Sequence, residues 1–155
     1  METTNENARV IVNPFFVYII LGLCAAFLQA LLPLPFITAS IARPLGAAIL
    51  AGSMFIGLPA VRRMFILHTS PNPRQPATAL VLSGPYRFTR NPMYIGLTLM
   101  YLGLALIFHL TWGLVLLPVV VWLITLWVIV PEEKYLEQKF GMEYISYKSK
   151  VRRWL

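Results

Sequence analysis

The chain has no aspartate, a single cysteine and few charges of either sign. Charged residues make up 12% of its 155 residues, and its six acids are all glutamates. A soluble domain typically carries about 25% charged residues. Together with a hydrophobic fraction of 58%, this excludes an ordinary water-soluble protein. Because Cys24 is a single cysteine, an internal disulfide is excluded. It lies in an apolar run, where a role as a small packing residue is expected.

Several familiar kinds of catalytic site are missing as well. His68 and His109 are far apart and no Cys/His cluster occurs, which argues against a metal site. The chain has neither a Walker loop nor a serine–histidine–acid set with suitable spacing. The first apolar run has no clear small-residue cleavage site after it, so a cleavable signal peptide is not expected.

What the chain does contain is long apolar runs, and these predict the fold. A membrane-spanning helix needs about 17–25 apolar residues. We predict an all-α integral membrane bundle forming a single domain, with four spans at about 15–32, 45–61, 93–110 and 112–130. Gly96 and Gly103 should allow a neighbouring helix to approach closely. Pro118 should kink the fourth span.

Two polar segments separate or follow these spans. The first is a proline-stiffened loop at 68–92, and the second is a tail at 131–155. Tyr144, Tyr147, Val151 and Trp154 recur at steps of three and four, which predicts a C-terminal amphipathic helix at the membrane interface.

The distribution of positive charge predicts the topology. With the N-terminus inside, every Lys and Arg except Arg43 lies on the cytoplasmic side, in agreement with the positive-inside rule. Topology therefore explains the net charge of +7 without a nucleic-acid partner. We expect a multi-pass protein of the cell membrane that contacts membrane lipids and has its active site on the cytoplasmic face.

The residues best suited to chemistry lie in the two polar segments. The stretch Ser83–Tyr94 holds two arginines and two tyrosines between turn signals, and Glu132 and Glu133 follow the fourth span. Adjacent acids at a membrane boundary are costly unless paired. Two structural alternatives remain open: the basic loop merely orients the protein, or the acids pair with Arg87, Arg90 or Lys134 and cap the next helix.

Two motifs resemble a known family. The stretch Ser83–Gly96, SGPYRFTRNPMYIG, resembles the signature of the isoprenylcysteine carboxyl methyltransferase superfamily, which includes phospholipid methyltransferases. The tail resembles its second signature through Glu132-Glu133, Gly141-Met142-Glu143-Tyr144, Tyr147 and Val151-Arg152-Arg153-Trp154. The chain is similar in size to small bacterial members of the superfamily.

The resemblance implies an integral membrane methyltransferase that uses S-adenosylmethionine, enclosed between the loop and the tail. The cofactor-binding positions implied by the match are Thr78, Ala79, Leu80, Val81, Tyr86, Asn91, Pro92, Met93, Tyr94 and Glu132. Tyr94, Glu133 and Arg90 are the candidate catalytic residues. Methyl displacement depends mainly on alignment, so positioning is expected to carry most of the catalysis.

Departures from the family pattern bear on the methyl acceptor. Asn91 stands where eukaryotic isoprenylcysteine enzymes have His, and the turn Trp127–Ile129 lacks their substrate-contacting Arg. A lipophilic or membrane-embedded acceptor is therefore expected rather than a prenylcysteine. It would reach the site sideways, through a gap permitted by Gly96, Gly103 and Pro118, and Arg152 and Arg153 could hold an anionic head group. The alternatives are a nicotinamide-dependent membrane reductase of the sterol-reductase type and a non-enzymatic scaffold.

Overall fold

The computed structural model describes Ala8 and residues 10–35 and 38–155. Within these residues the chain is helical and has no strands. The helices are α1 (Pro14–Leu31), α2 (Ala39–Ile66), α3 (Pro92–Ile107), α4 (Thr111–Ile124), α5 (Val130–Phe140) and α6 (Met142–Lys150). A 3₁₀ turn occupies Gly84–Arg87, and a π-helical segment, Thr125–Ile129, joins α4 to α5.

Helices α1 to α4 run alternately up and down, so the short connections lie at one end of the bundle. There the indole of Trp112 donates to the carbonyl of Leu32 at 2.9 Å, and the hydroxyl of Thr111 donates to that of Pro35 at 3.2 Å. At the other end, the amide of Ile11 donates to the carbonyl of Trp127 at 3.0 Å. The N-terminal segment, the long loop and the tail meet at that end. Arg9, one of the cations predicted to be cytoplasmic, lies outside the described residues.

The surface of the bundle confirms a membrane-type fold. Among the residues that the structure describes, three helices are long and apolar enough to cross a bilayer: Pro14–Leu31, Ala39–Ile66 and the continuous helix Thr111–Phe140. Helix α3 is apolar but shorter, at 16 residues or about 24 Å. Large apolar side chains face outward, including Phe55, which is 81% exposed, and Leu23, which is 66% exposed. Such a surface is stable in lipid and unfavourable in water.

Several predicted boundaries were wrong because prolines did not end helices. Helix α2 begins before Pro44 and continues through Pro59 to Ile66, so it extends beyond the predicted span 45–61 at both ends. The fourth helix passes Pro118 and the π-helical segment without a break, and reaches Phe140. Proline is tolerated inside membrane helices because neighbouring groups can satisfy the carbonyls it frees.

The two histidines end helices. The amides of His68 and Thr69 donate to the carbonyls of Phe65 and Met64, both at 3.0 Å, and His68 has φ 52°. His109 repeats this arrangement after α3, with φ 55°. This is the Schellman ending, in which glycine usually occupies the left-handed position. The sequence gives no sign that a histidine occupies this left-handed position. The third span was therefore predicted to continue to residue 110, whereas α3 ends at Ile107.

The glycines of α3 form a close helix contact with α2. A Cβ at Gly96 would lie 2.9 Å from the Cα of Gly57, and one at Gly103 would lie 2.9 Å from the carbonyl oxygen of Gly46. Close approach was predicted correctly, and it leaves no room for an acceptor between α2 and α3. The packing of α2 on α3 is the most extensive in the bundle and depends on these glycines.

We predict that Gly96→Ala destabilises the bundle by about 1–3 kcal/mol, because its Cβ meets backbone that cannot rotate away. Gly52→Ala is the matched control. A Cβ at Gly52 meets nothing within 4 Å, so this substitution should be neutral or slightly stabilising. The unfolding midpoint in detergent measures both. Equal midpoints for the two variants would show that the Gly57–Gly96 contact is not required.

Candidate active site

A cavity lies between the loop and the tail, at the end of the bundle where the polar segments meet. Its empty volume is about 770 Å³, open to solvent at its mouth. All the predicted site residues except Thr78 line it: Ala79, Leu80, Val81, Tyr86, Arg90, Asn91, Pro92, Met93, Tyr94, Glu132 and Glu133. Thr78 instead bonds within the loop, donating to the carbonyl of His68.

Glu132 and Tyr94 form the deepest polar pair of the cavity. The hydroxyl of Tyr94 donates to Oε2 of Glu132 at 2.9 Å. Tyr94 is 2% exposed, and its ring is held among the buried residues of the bundle core. Its own carbonyl accepts from Thr98 at 2.8 Å, within the first turns of α3. The carboxylate of Glu132 is thereby aimed by a rigid phenol on a neighbouring helix.

Glu133 has a different role, since two arginines surround it. Nε and Nη2 of Arg153 donate to its two carboxylate oxygens at 3.0 and 2.7 Å. Nη1 of Arg90 lies 3.1 Å from Oε1. Of the partners proposed from the sequence, Arg90 is therefore found, while Arg87 is exposed. Arg153 was missed, because it was expected to hold an anionic head group.

The backbone of the tail is also bonded to the loop. The predicted C-terminal helix stops at Lys150, and Val151 is extended, so Val151 and Trp154 do not continue the helical stripe. In this extended segment the carbonyl of Arg152 accepts from the amide of Arg90 at 2.9 Å. The carbonyl of Arg153 accepts from the side chain of Asn91 at 2.8 Å. The tail thus closes one wall of the cavity.

Tyrosines from the tail complete that wall. The hydroxyl of Tyr147 donates to the carbonyl of Tyr86 at 2.7 Å, and the hydroxyl of Tyr135 accepts from the amide of Ala77 at 3.1 Å. Burial raises the pKa of Tyr147 to about 12, and burial together with nearby Glu132 raises the pKa of Tyr86. These phenols stay protonated at neutral pH and act as donors rather than bases. The Tyr144–Tyr147 spacing was noted in the sequence, but only as an apolar stripe.

The π-helical segment directly precedes the acid pair. Thr125, at its start, donates to the carbonyl of Val121 at 2.7 Å and accepts from the indole of Trp154 at 3.2 Å. Such segments shift the register of a helix and often occur at functional sites. Within the described residues, no group of three His, Cys, Asp or Glu side chains could hold a metal ion.

A second, apolar groove adjoins the cavity. Helix α1 packs on α3 and α4, while α2 packs on α3, which leaves a groove over α3 between α1 and α2. Its empty volume is about 1050 Å³, and its walls include Leu58 and Val61 of α2 and Leu97 of α3. Three residues line both spaces: Asn72, Pro73 and Met93.

Comparison with known proteins identifies the family. The sequence model of the phospholipid methyltransferase family matches residues 41–143, about two thirds of the chain. The chain belongs to the phospholipid methyltransferase family. This confirms the resemblance to the superfamily that family shares with isoprenylcysteine carboxyl methyltransferases. An uncharacterized protein of Haemophilus influenzae is 50% identical over 64 residues, which is 36% of this chain and 100% of that protein. No solved structure matches.

We predict that Arg153→Ala loosens the tail and destabilises the fold by about 1–2 kcal/mol, because Glu133 is left with Arg90 alone. The effect is modest since the guanidinium of Arg153 is partly exposed and screened. Arg152→Ala, one residue away and exposed, should leave stability unchanged. Unfolding midpoints and hydrogen exchange at 151–155 measure the difference. Indistinguishable exchange in the two variants would contradict a role for this ion pair.

Proposed function

We propose that this protein transfers a methyl group from S-adenosylmethionine to a lipophilic acceptor that reaches the site from the membrane. The observation that carries the proposal is the cavity in which the loop and the tail bring together Tyr86, Asn91, Tyr94 and Glu132. Membership of a methyltransferase family supports the reaction class. The apolar outer surface and the adjoining groove support a lipid-like acceptor.

The residues of the cavity fit this cofactor. Glu132 is a half-buried carboxylate suited to the ammonium group or the ribose hydroxyls. Backbone groups at Leu80 and Val81 suit an adenine edge, and the rings of Tyr86 and Tyr94 suit a positively charged sulfonium. When bound, the cofactor would supply a methyl group on that sulfonium, ready for displacement by a nucleophile.

The contribution of the chain would be positioning. The Tyr94–Glu132 hydrogen bond fixes the carboxylate, and the Arg90–Glu133–Arg153 cluster fixes the wall around it. Holding two reactants in line can supply several kcal/mol of a reaction barrier without acid–base chemistry. Glu133, committed to two arginines, would act as a positioning residue rather than as the catalytic residue proposed from the sequence.

The acceptor would enter by the groove between α1 and α2, which Gly96 lines and which Gly103 and Pro118 do not line. The groove opens to the lipid side of the bundle and shares Met93 with the cavity. An apolar chain lying in it would place its polar end at the cavity without crossing water. Active chemistry on the cytoplasmic face of the cell membrane remains part of the proposal, supported by the basic loop and tail.

We expect Glu132→Gln to lower the affinity for S-adenosylmethionine by roughly ten- to a hundredfold, since a charge-assisted hydrogen bond is lost while size and the Tyr94 contact are kept. Glu143→Gln, on the exposed side of α6, should change nothing. Isothermal titration in detergent measures both, with reduced nicotinamide titrated in parallel. Unchanged affinity in folded Glu132→Gln would refute the assignment, and binding of the nicotinamide alone would favour a reductase.

We expect Leu58→Trp, which narrows the groove, to lower methyl transfer to a lipophilic acceptor by at least several-fold, while cofactor affinity stays the same. Phe55→Trp is the matched control, because Phe55 lies on the same helix, is 81% exposed and does not line the groove. Methyl incorporation into extracted membrane lipid is the measurement. Equal rates in the two variants would place the acceptor elsewhere.

A further inference from the structure

Arg90 is buried in the cavity wall with unused hydrogen-bond donors. Its side chain is 10% exposed. Among the described residues, its Nε and Nη1 have no hydrogen-bond partner. A guanidinium carries five N–H donors in a fixed fork, and leaving buried donors unsatisfied is costly. Arg90 therefore stands out among the polar groups of the cavity.

The neighbours of Arg90 do not use this capacity. Nη1 lies 3.1 Å from Oε1 of Glu133, but the contact lacks the geometry of a hydrogen bond. Both oxygens of Glu133 already accept from Arg153. Nε of Arg90 therefore has no hydrogen-bond partner among the described residues, and Nη1 has only the ion-pair contact with Glu133. Glu133 thus neutralises Arg153 more closely than it neutralises Arg90.

We propose that Arg90 binds an anionic oxygen group of a ligand in the cavity. The inference rests on the proposed function, and it makes Arg90 a ligand-binding residue. The planar fork of arginine matches a carboxylate or a phosphate with two parallel hydrogen bonds. Glu132 lines the same cavity and supplies the opposite charge, so the cavity is complementary to a zwitterion. Two ligands offer that chemistry: the amino-acid end of the methyl donor and the phosphate-bearing head group of a lipid acceptor.

The first arm of the test asks whether the donor carboxylate is the partner. It compares S-adenosylmethionine with decarboxylated S-adenosylmethionine, which lacks only the carboxylate, on the wild type and on Arg90→Met. We expect the wild type to prefer S-adenosylmethionine by roughly ten- to a hundredfold. That preference should disappear in Arg90→Met, because a double-mutant cycle isolates the pairwise interaction. Arg87→Met, on the same loop and exposed, should keep it.

The second arm asks whether the phosphate of a lipid is the partner. It compares dihexanoylphosphatidic acid with dihexanoylglycerol, which lacks the phosphate, on the same variants. A loss of affinity for the phosphatidic acid alone in Arg90→Met would assign Arg90 to the acceptor. The inference would be overturned if Arg90→Met lost affinity equally for all four compounds, or lost affinity for none of them.

Failure of the proposed function has a different signature. If the proposed function is wrong, the wild-type protein should bind neither S-adenosylmethionine nor its decarboxylated form. The donor arm would then be overturned, and the phosphatidic acid arm alone would decide whether Arg90 binds an anion. Arg90→Lys adds a further readout, since it keeps the charge and loses the fork; partial recovery of the affinity lost in Arg90→Met is expected.

Discussion

The carboxylate of Glu133 joins three parts of the chain that are distant in sequence. It lies on α5, Arg90 comes from the loop, and Arg153 comes from the extended tail. Glu133 is 5% exposed, so its charge is stable there only with these partners. The loop between α2 and α3 contains four prolines and no regular helix beyond one turn, and the backbone is extended after α6. Apart from the contacts with Glu133, no ion pair among the described residues joins the loop to the tail; the remaining ion pair, Lys148 with Glu137, lies within the tail.

The hydrogen bonds around this ion pair are consistent with that role. Three hydrogen bonds between loop and tail fall within two residues of an arginine in the cluster: Arg90 to Arg152, Thr89 to Arg153, and Asn91 to Arg153. Polar contacts of this kind are worth little at an open surface, where water competes for them. Here Thr89 and Asn91 are buried, so the contacts and the ion pair stabilise one another. The cavity is a consequence of that closure.

Sequence reasoning succeeded where one physical pattern dominates. The apolar runs are too long to be shielded from water in a soluble protein, and they predicted the helical bundle. The clustering of positive charge predicted that the loop and the tail lie at the same end of it. It failed where the outcome depends on tertiary contact. The extended backbone after Lys150 brings Arg153 to Glu133, twenty positions away, and helical periodicity extrapolated through Trp154 could not foresee it. The glycines of α3 were expected to leave a gap, but Gly57 of α2 contacts Gly96 directly, and the opening that Gly96 lines is the groove between α1 and α2.

The first turn of α3 also separates the aqueous side of the bundle from its lipid-facing side. The cavity faces the polar segments and the groove faces the apolar surface, and Met93 stands between them in the first turn of α3. Pro92 fixes the start of this helix, and Tyr94, one residue further on, is anchored in the core and holds Glu132. Three consecutive residues thus start the helix, divide the two spaces and aim the carboxylate of Glu132. Under the proposed function, a donor from the aqueous side and an acceptor from the lipid side would meet at this turn. A methyl group could then pass between them without either ligand leaving its own phase.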